Sequence, residues 1–156
     1  MRIGHGYDAH KTAPDRELVL GGVKIPSPFG LLAHSDGDVL LHAIIDALFG
    51  AAGERDIGWH FPDTDPRYKD ADSMELLRET GRIIASLGFV VEYIDATLIA
   101  EAPKLNPYIP AMRKAIADAC FVEQSRVNIK ATTEEKMGFT GSGEGIAAHA
   151  VCLLRE

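Results

Sequence analysis

A chain of 156 residues is long enough for one hydrophobic core and short for two, so a single domain over residues 1–156 is expected. With 46% apolar and 25% charged residues, it has the balance of a water-soluble globular protein rather than a disordered or membrane-embedded one. A formal charge of −7 argues against nucleic acid or an anionic membrane as partners held by general attraction, and leaves room for a local site for a phosphorylated small molecule. The two cysteines, Cys120 and Cys152, sit in apolar surroundings, which suggests neither a disulfide scaffold nor a Cys-based zinc site. The expected compartment is therefore reducing and cytoplasmic. Met1-Arg2-Ile3-Gly4-His5 lacks a signal-peptide apolar core, and no apolar run approaches the ~18 residues of a membrane span.

A first strand is expected over residues 2–7, ending near Asp8. In the Asp8-Ala9-His10 segment that follows, residues two apart on an extended chain point to the same side, so Asp8 and His10 can converge. Residues 11–16 read as a polar loop. Residues 17–20 and 23–25, joined by Gly21-Gly22, read as a hairpin ended by Pro26 and Pro28. Ser35-Asp36-Gly37-Asp38 has the pattern of a helix start, with Ser35 as cap and Asp36 and Asp38 in the first turn. That helix is expected to reach Phe49 and stop at Gly50, with Gly53 beyond. Nearly everything after Val39 is apolar, yet Asp38, His42 and Asp46 recur at i, i+4 and i+8 and share one face. A buried helix with such a polar stripe must find partners for it.

Residues 54–72 form a long irregular stretch, of the kind that is commonly functional in a compact domain. Ser73 is expected to cap a second helix ending at Gly88. Residues 89–100 are β-rich, 101–106 form a turn containing Pro103, and a third helix is expected over 108–120, with Pro110 in its first turn. A strand over 126–131, a loop over 132–145 with four glycines and a last apolar strand over 146–154 complete the chain. This order predicts an α+β fold, a single sheet with helices packed on one face.

Two imidazoles and one carboxylate, from His10, His42 and Asp8, are the N/O ligand set of a catalytic zinc site with its fourth position open. Manganese, cobalt and iron are the other candidates. The competing reading is a core histidine hydrogen-bonded to nearby acids, the commoner state of an isolated helical His. Asp38 and Asp46 are candidate supporting partners of His42. His34 and Ser35, at the expected helix start, can meet a phosphate on free backbone N–H groups, or Ser35 can simply cap. Asp56, Asp63 and Asp65 can accept hydrogen bonds from polyol hydroxyls, or be solvated turn residues. Lys130-Ala131-Thr132-Thr133-Glu134-Glu135-Lys136 leaves a strand for a glycine-rich loop. Its hydroxyls and amides suit a phosphate and its carboxylates suit Mg2+, with an ordinary loop as the alternative. The run matches neither a P-loop nor a dinucleotide fingerprint. His5, His60 and His149 read as structural.

Six segments taken together are far more specific than any one. They are R-I-G-H-G-Y-D-A-H at 2–10, G-L-L-A-H-S-D-G-D-V at 30–39 with His42 following, D-I-G-W-H-F-P-D-T-D-P at 56–66, A-E-A-P-K-L at 100–105, K-A-T-T-E-E-K-M-G-F-T-G at 130–141 and G-E-G-I-A at 143–147. On these, over essentially its whole length, the chain resembles the 2-C-methyl-D-erythritol 2,4-cyclodiphosphate synthase family of the non-mevalonate isoprenoid pathway. The resemblance implies a lyase that cyclises 4-diphosphocytidyl-2-C-methyl-D-erythritol 2-phosphate with release of CMP, working as a homotrimer with active sites between subunits. It implies zinc on Asp8, His10 and His42, catalytic roles for His34 and Thr133, and a second metal, Mg2+ or Mn2+, on Glu135. Asp8, His10, His34, Ser35, Asp56, Ile57, Gly58, Phe61, Pro62, Asp63, Thr64 and Asp65 would face the methylerythritol phosphate part. Ala100, Glu101, Ala102, Pro103, Lys104, Leu105, Asn106, Thr132, Thr133, Glu134 and Glu135 of the neighbouring subunit would hold the cytidine diphosphate, and Phe139 completes the implied substrate contacts. One position departs from the family pattern: Ser142 stands where an arginine facing the trimer centre is usual, so a central anion is not expected to be held by that means. The alternatives are a zinc-dependent phosphoester hydrolase and a non-catalytic nucleotide- or metal-binding trimer.

Overall fold

In the computed structural model, which describes residues 1–156, the N-terminal strand β1 (Arg2–Pro14) places Gly4 and Gly6 on one face and Ile3, His5 and Tyr7 on the other. The first face packs against α1 (Val39–Ala52), and the second is exposed. A side chain on either glycine would be impossible at this separation. A Cβ on Gly4 would lie 2.0 Å from the Ala47 carbonyl oxygen, and one on Gly6 would lie 1.9 Å from that of Ala43. Ala43, Ala47 and Ala51, one helical turn apart, supply the matching small-residue face of α1. Period-two alternation then carries Asp8 and His10 onto the same face of β1 as the two glycines.

The main sheet has the order β4-β1-β7-β5-β6. Its strands β4 (Phe29–Leu32), β7 (Gly145–Arg155) and β5 (Val90–Ile99) pair antiparallel with their neighbours, and β6 (Val127–Thr132) pairs parallel to β5. The parallel step requires a crossover, which α4 (Ile109–Ala119) provides. With α3 (Ser73–Ser86), α1 and α4 cover one face, and 38 buried residues form one contiguous core. The other face leaves Ile3, Tyr7, Tyr93 and Val151 exposed.

The α+β class and the one-sided helices agree with the sequence expectation, and several boundaries do not. β1 continues through residues read as loop, because Lys11–Pro14 pairs with β4, a strand the sequence reading missed. β4 is four residues long, follows two prolines and contains Gly30, so it carries little strand signal. The hairpin of β2 (Leu18–Leu20) and β3 (Val23–Ile25) forms a sheet of its own, giving two sheets rather than one. Asp38, not Ser35, caps α1, and the helix passes Gly50 to end at Gly53, which takes the left-handed conformation at φ 81°. Asp72, not Ser73, caps α3. The stretch 54–72 contains a short helix, α2 (Ile57–His60), and a 3-10 turn at Pro66–Tyr68, and the glycine-rich loop contains α5 (Gly138–Gly141).

The glycine contact makes a paired prediction. Gly6→Ala should destabilise the protein by about 3 kcal/mol or more through backbone overpacking. Gly50→Ala is in α1, where a Cβ meets nothing closer than 3.9 Å. It should stabilise by about 0.5–1 kcal/mol. Urea unfolding midpoints check both, and a Gly6→Ala midpoint equal to the parent's would contradict the packing argument.

A candidate metal centre and its cleft

The close approach of α1 brings His42 to the two β1 residues. His42 Nδ1 and His10 Nε2 each lie 2.9 Å from Asp8 Oδ2, and the two nitrogens are 3.3 Å apart. Three donor atoms so spaced lie on a circle of about 1.8 Å radius, so one point can be about 2.0–2.2 Å from all of them, an ordinary metal–ligand distance. The cluster is the chain's one group of at least three His, Cys, Asp or Glu donors close enough to share an ion. Burial raises the Asp8 carboxyl, but hydrogen bonds and charge from His10 and His42 outweigh it and bring the group down to about 2. Burial lowers the His42 imidazole, but the Asp8 hydrogen bond and the charges of Asp8, Asp38 and Asp36 hold it above its ordinary value.

The other ring nitrogen of His42 points to Ser35, expected to face a phosphate, and to Ser73, expected only as a helix cap. Nε2 lies 2.9 Å from Ser73 Oγ and 3.3 Å from Ser35 Oγ. The Asp36 carboxylate accepts from both the Ser73 hydroxyl, at 2.5 Å, and the Ser73 amide, at 3.0 Å. Asp38 and Asp46, expected beside His42, are engaged elsewhere. Asp38 is fully buried and accepts the amides of Gly21, Gly22 and Leu41 at 2.8–3.1 Å, with burial pushing its carboxyl up to about 6. Asp46 accepts the Ile57 amide at 2.8 Å and so anchors α2. The amide expected to be open to an anion at the start of α1 is therefore occupied by Asp38. His34 and Ser35 lie in the bend before the helix, where they line a cleft.

That cleft, about 710 Å³ in volume, is bounded by His10, His34, Ser35, His42, Asp63 and the apolar groups of Ile57, Phe61 and Tyr68 among others. A second hollow of about 330 Å³ is lined by Ala100, Glu101, Pro103–Asn106, Thr132 and Thr133. The two share no lining residue. The first opens beside β4 and β1 and the second beside β5 and β6, two to four strand spacings away, or roughly 10–19 Å.

Comparison with known proteins gives this geometry a family. The model of the YgbB family matches residues 1–155. The chain belongs to the YgbB family. It is 61% identical to the 2-C-methyl-D-erythritol 2,4-cyclodiphosphate synthase of Trichlorobacter lovleyi over 99% of this chain and 98% of that one. It is 60% identical to that of Lachnospira eligens over 99% and 84%. A CDP-bound structure of a 2C-methyl-D-erythritol-2,4-cyclodiphosphate synthase superposes with a TM-score of 0.91 at 39% identity, over 99% of this chain and all of that one. The bifunctional IspDF of Campylobacter jejuni superposes with a TM-score of 0.94 at 44% identity, and this chain spans 42% of that longer protein.

In this YgbB chain the remaining candidates are spread over several places in the fold. Gly58 also lines the first cleft, but Pro62, Thr64 and Asp65 do not, and Asp65 is held by Arg67 at 2.6 Å. Asp56 caps α2 by accepting the Trp59 amide at 2.9 Å. Ala102 joins Glu101 at a smaller hollow bordered by Thr12 and Ser142, and a carboxylate oxygen of Glu101 is buried without a hydrogen-bond partner. Glu134 turns inward to the Thr140 hydroxyl, while Glu135 is exposed at φ 52° with its amide 3.4 Å from Thr133 Oγ1. Phe139 packs over Gly145 and lines neither large hollow. Of the histidines read as structural, His60 stacks on Phe49 and bonds the Glu54 carbonyl at 2.8 Å. His5 and His149 meet at 3.0 Å on the exposed sheet face.

Because the His42 imidazole must shed a proton to ligate a cation and its proton affinity is raised, Zn2+ affinity should climb with pH. Below the His42 pKa the rise is about tenfold per pH unit, and it levels off above. Calorimetric titrations at pH 6, 7 and 8 check this, and pH-independent affinity would contradict it. His42→Ala should lower the affinity by at least about 100-fold.

Proposed function

We propose that the chain is a 2-C-methyl-D-erythritol 2,4-cyclodiphosphate synthase, converting 4-diphosphocytidyl-2-C-methyl-D-erythritol 2-phosphate to the 2,4-cyclodiphosphate and CMP. The observation that carries this reading is the convergence of Asp8 with His10 and His42, which line the main cleft, in a YgbB chain. The attacking group is a phosphate oxygen that is already an anion, so the chain needs no general base. The barrier lies in bringing two anionic phosphates into line. Asp8, His10 and His42 would hold a divalent transition metal, zinc by the chemistry of two imidazoles and one carboxylate. When bound, it supplies Lewis-acid neutralisation of a phosphoryl oxygen. His34 and Ser35, which line the same cleft, donate hydrogen bonds to phosphate oxygens. Ile57, Phe61 and Tyr68 give the cleft an apolar wall that keeps water from the phosphorus.

The second hollow takes the cytidine diphosphate. It has Lys104 to offset phosphate charge, Thr133 to bond a phosphate oxygen, and the exposed Glu135 carboxylate beside it to hold Mg2+ or Mn2+ between the phosphates. That the two hollows of one protomer share no lining residue supports a site completed across a subunit boundary. A head-to-tail contact that joins one protomer's β5–β6 edge to the next one's cleft closes into a ring. The uncovered sheet face, with Ile3, Tyr7 and Val151 exposed, supplies the apolar surface for the homotrimer. No helix is long and apolar enough to cross a membrane, and two free, buried cysteines are compatible with a reducing, cytoplasmic setting.

Phosphorus NMR of the substrate with protein, Zn2+ and Mg2+ should show a cyclic diphosphate and CMP. Linear phosphates would instead indicate hydrolysis, and no change would indicate a binding protein. Thr133→Ala should slow cyclisation while leaving CMP affinity within a few-fold. The shared site predicts complementation. His42→Ala and Thr133→Ala chains, unfolded together and refolded as a 1:1 mixture, should regain intact sites at about one quarter of positions in random trimers. Mixtures no more active than the separate variants would contradict an intersubunit site.

A further inference from the structure

Each proton around the outer nitrogen of His42 has one place to go. When Nδ1 is given over to a cation shared with Asp8 and His10, the proton of a neutral His42 ring must reside on Nε2. Ser73 Oγ, 2.9 Å away, must then accept it. The Ser73 hydroxyl proton is directed to Asp36, whose carboxylate lies 2.5 Å from the same oxygen and cannot donate in return. Ser73 is fully buried, so water does not compete for either bond. We infer that Asp36 and Ser73 are positioning residues for the metal centre, a relay that fixes the His42 tautomer and ring so that Nδ1 is presented as a ligand.

The relay also assigns the Ser35 proton. Ser35 Oγ lies 3.3 Å from His42 Nε2 and accepts the Gly37 amide at 3.3 Å. With Nε2 already protonated, Ser35 cannot donate to the ring. Its hydrogen is left for the cleft that Ser35 lines, where a phosphate oxygen is the acceptor. One buried serine thus keeps the histidine in its ligating form and leaves a second serine free to donate to substrate. Neither Asp38 nor Asp46 can substitute for this relay, because their carboxylates are committed to backbone amides.

This inference rests on the metal reading, and the test separates the two. Ser73→Ala removes only the hydroxyl, and the backbone amide of residue 73 still holds Asp36. Zn2+ affinity should fall about 10–100-fold with little change in the thermal midpoint of the metal-free protein, and Asp36→Ala should lower it comparably. In the Zn2+-loaded parent protein, nitrogen-15 NMR should find His42 protonated at Nε2 and metal-bound at Nδ1, a readout independent of any variant's folding. Ser73→Ala affinity equal to the parent's, or a Zn2+-loaded parent protein with His42 protonated at Nδ1, would overturn the relay. A parent protein that binds Zn2+ no better than His42→Ala would overturn the metal reading, and the relay with it.

Discussion

The contact between α1 and the two glycines of β1 fixes the geometry of the whole site. Helix and strand approach until helix carbonyls occupy the space that β1 side chains would fill at positions 4 and 6. Two residues further on, the strand must carry real side chains on that same face, and these are Asp8 and His10. They meet α1 where His42 precedes Ala43 on the helix. The donor cluster is therefore the polar end of a small-residue packing seam, and its distances are set by backbone contact rather than by flexible side chains.

Around that seam, acids with similar sequence neighbourhoods do different things because of where their oxygens point. Asp38 is consumed by three amides and ties the β2–β3 turn to the start of α1. Asp46 holds the loop that forms one wall of the cleft. Asp36 reaches across to α3, and Asp8 alone faces the two imidazoles. Burial raises Asp38 and Asp46 while the histidines depress Asp8. The carboxylate kept most firmly ionised is thus the one in position to bind a cation.

Much of this was legible in the sequence, for physical reasons that differ by element. The helices and the long strands have strong periodic patterns, and Asp8 and His10 follow from period-two geometry alone. β4 was not legible, since four residues after a proline pair gain their strand character from pairing with β1, a tertiary effect. The helix starts were misassigned by a few residues because Ser35, Asp36, Asp38, Asp72 and Ser73 are all good caps, and only the fold decides which side chain turns back on its own helix. Ser73 was overlooked for the same reason: with Asp72 capping α3, its hydroxyl is free to face inward. That Asp38 and Asp46 share a helical face with His42 was readable, but sharing a face does not mean sharing a partner. The separation of the two hollows depends on strand order, which no local pattern encodes.

The central claim is that Asp8, His10 and His42 together hold a divalent metal in the main cleft. Anomalous scattering at the zinc absorption edge, from crystals grown with Zn2+, tests it most directly. The account predicts a peak about 2.0–2.2 Å from Asp8 Oδ2, His10 Nε2 and His42 Nδ1 at once. A zinc peak elsewhere with these three atoms still hydrogen-bonded to one another, or no peak at all, would contradict it.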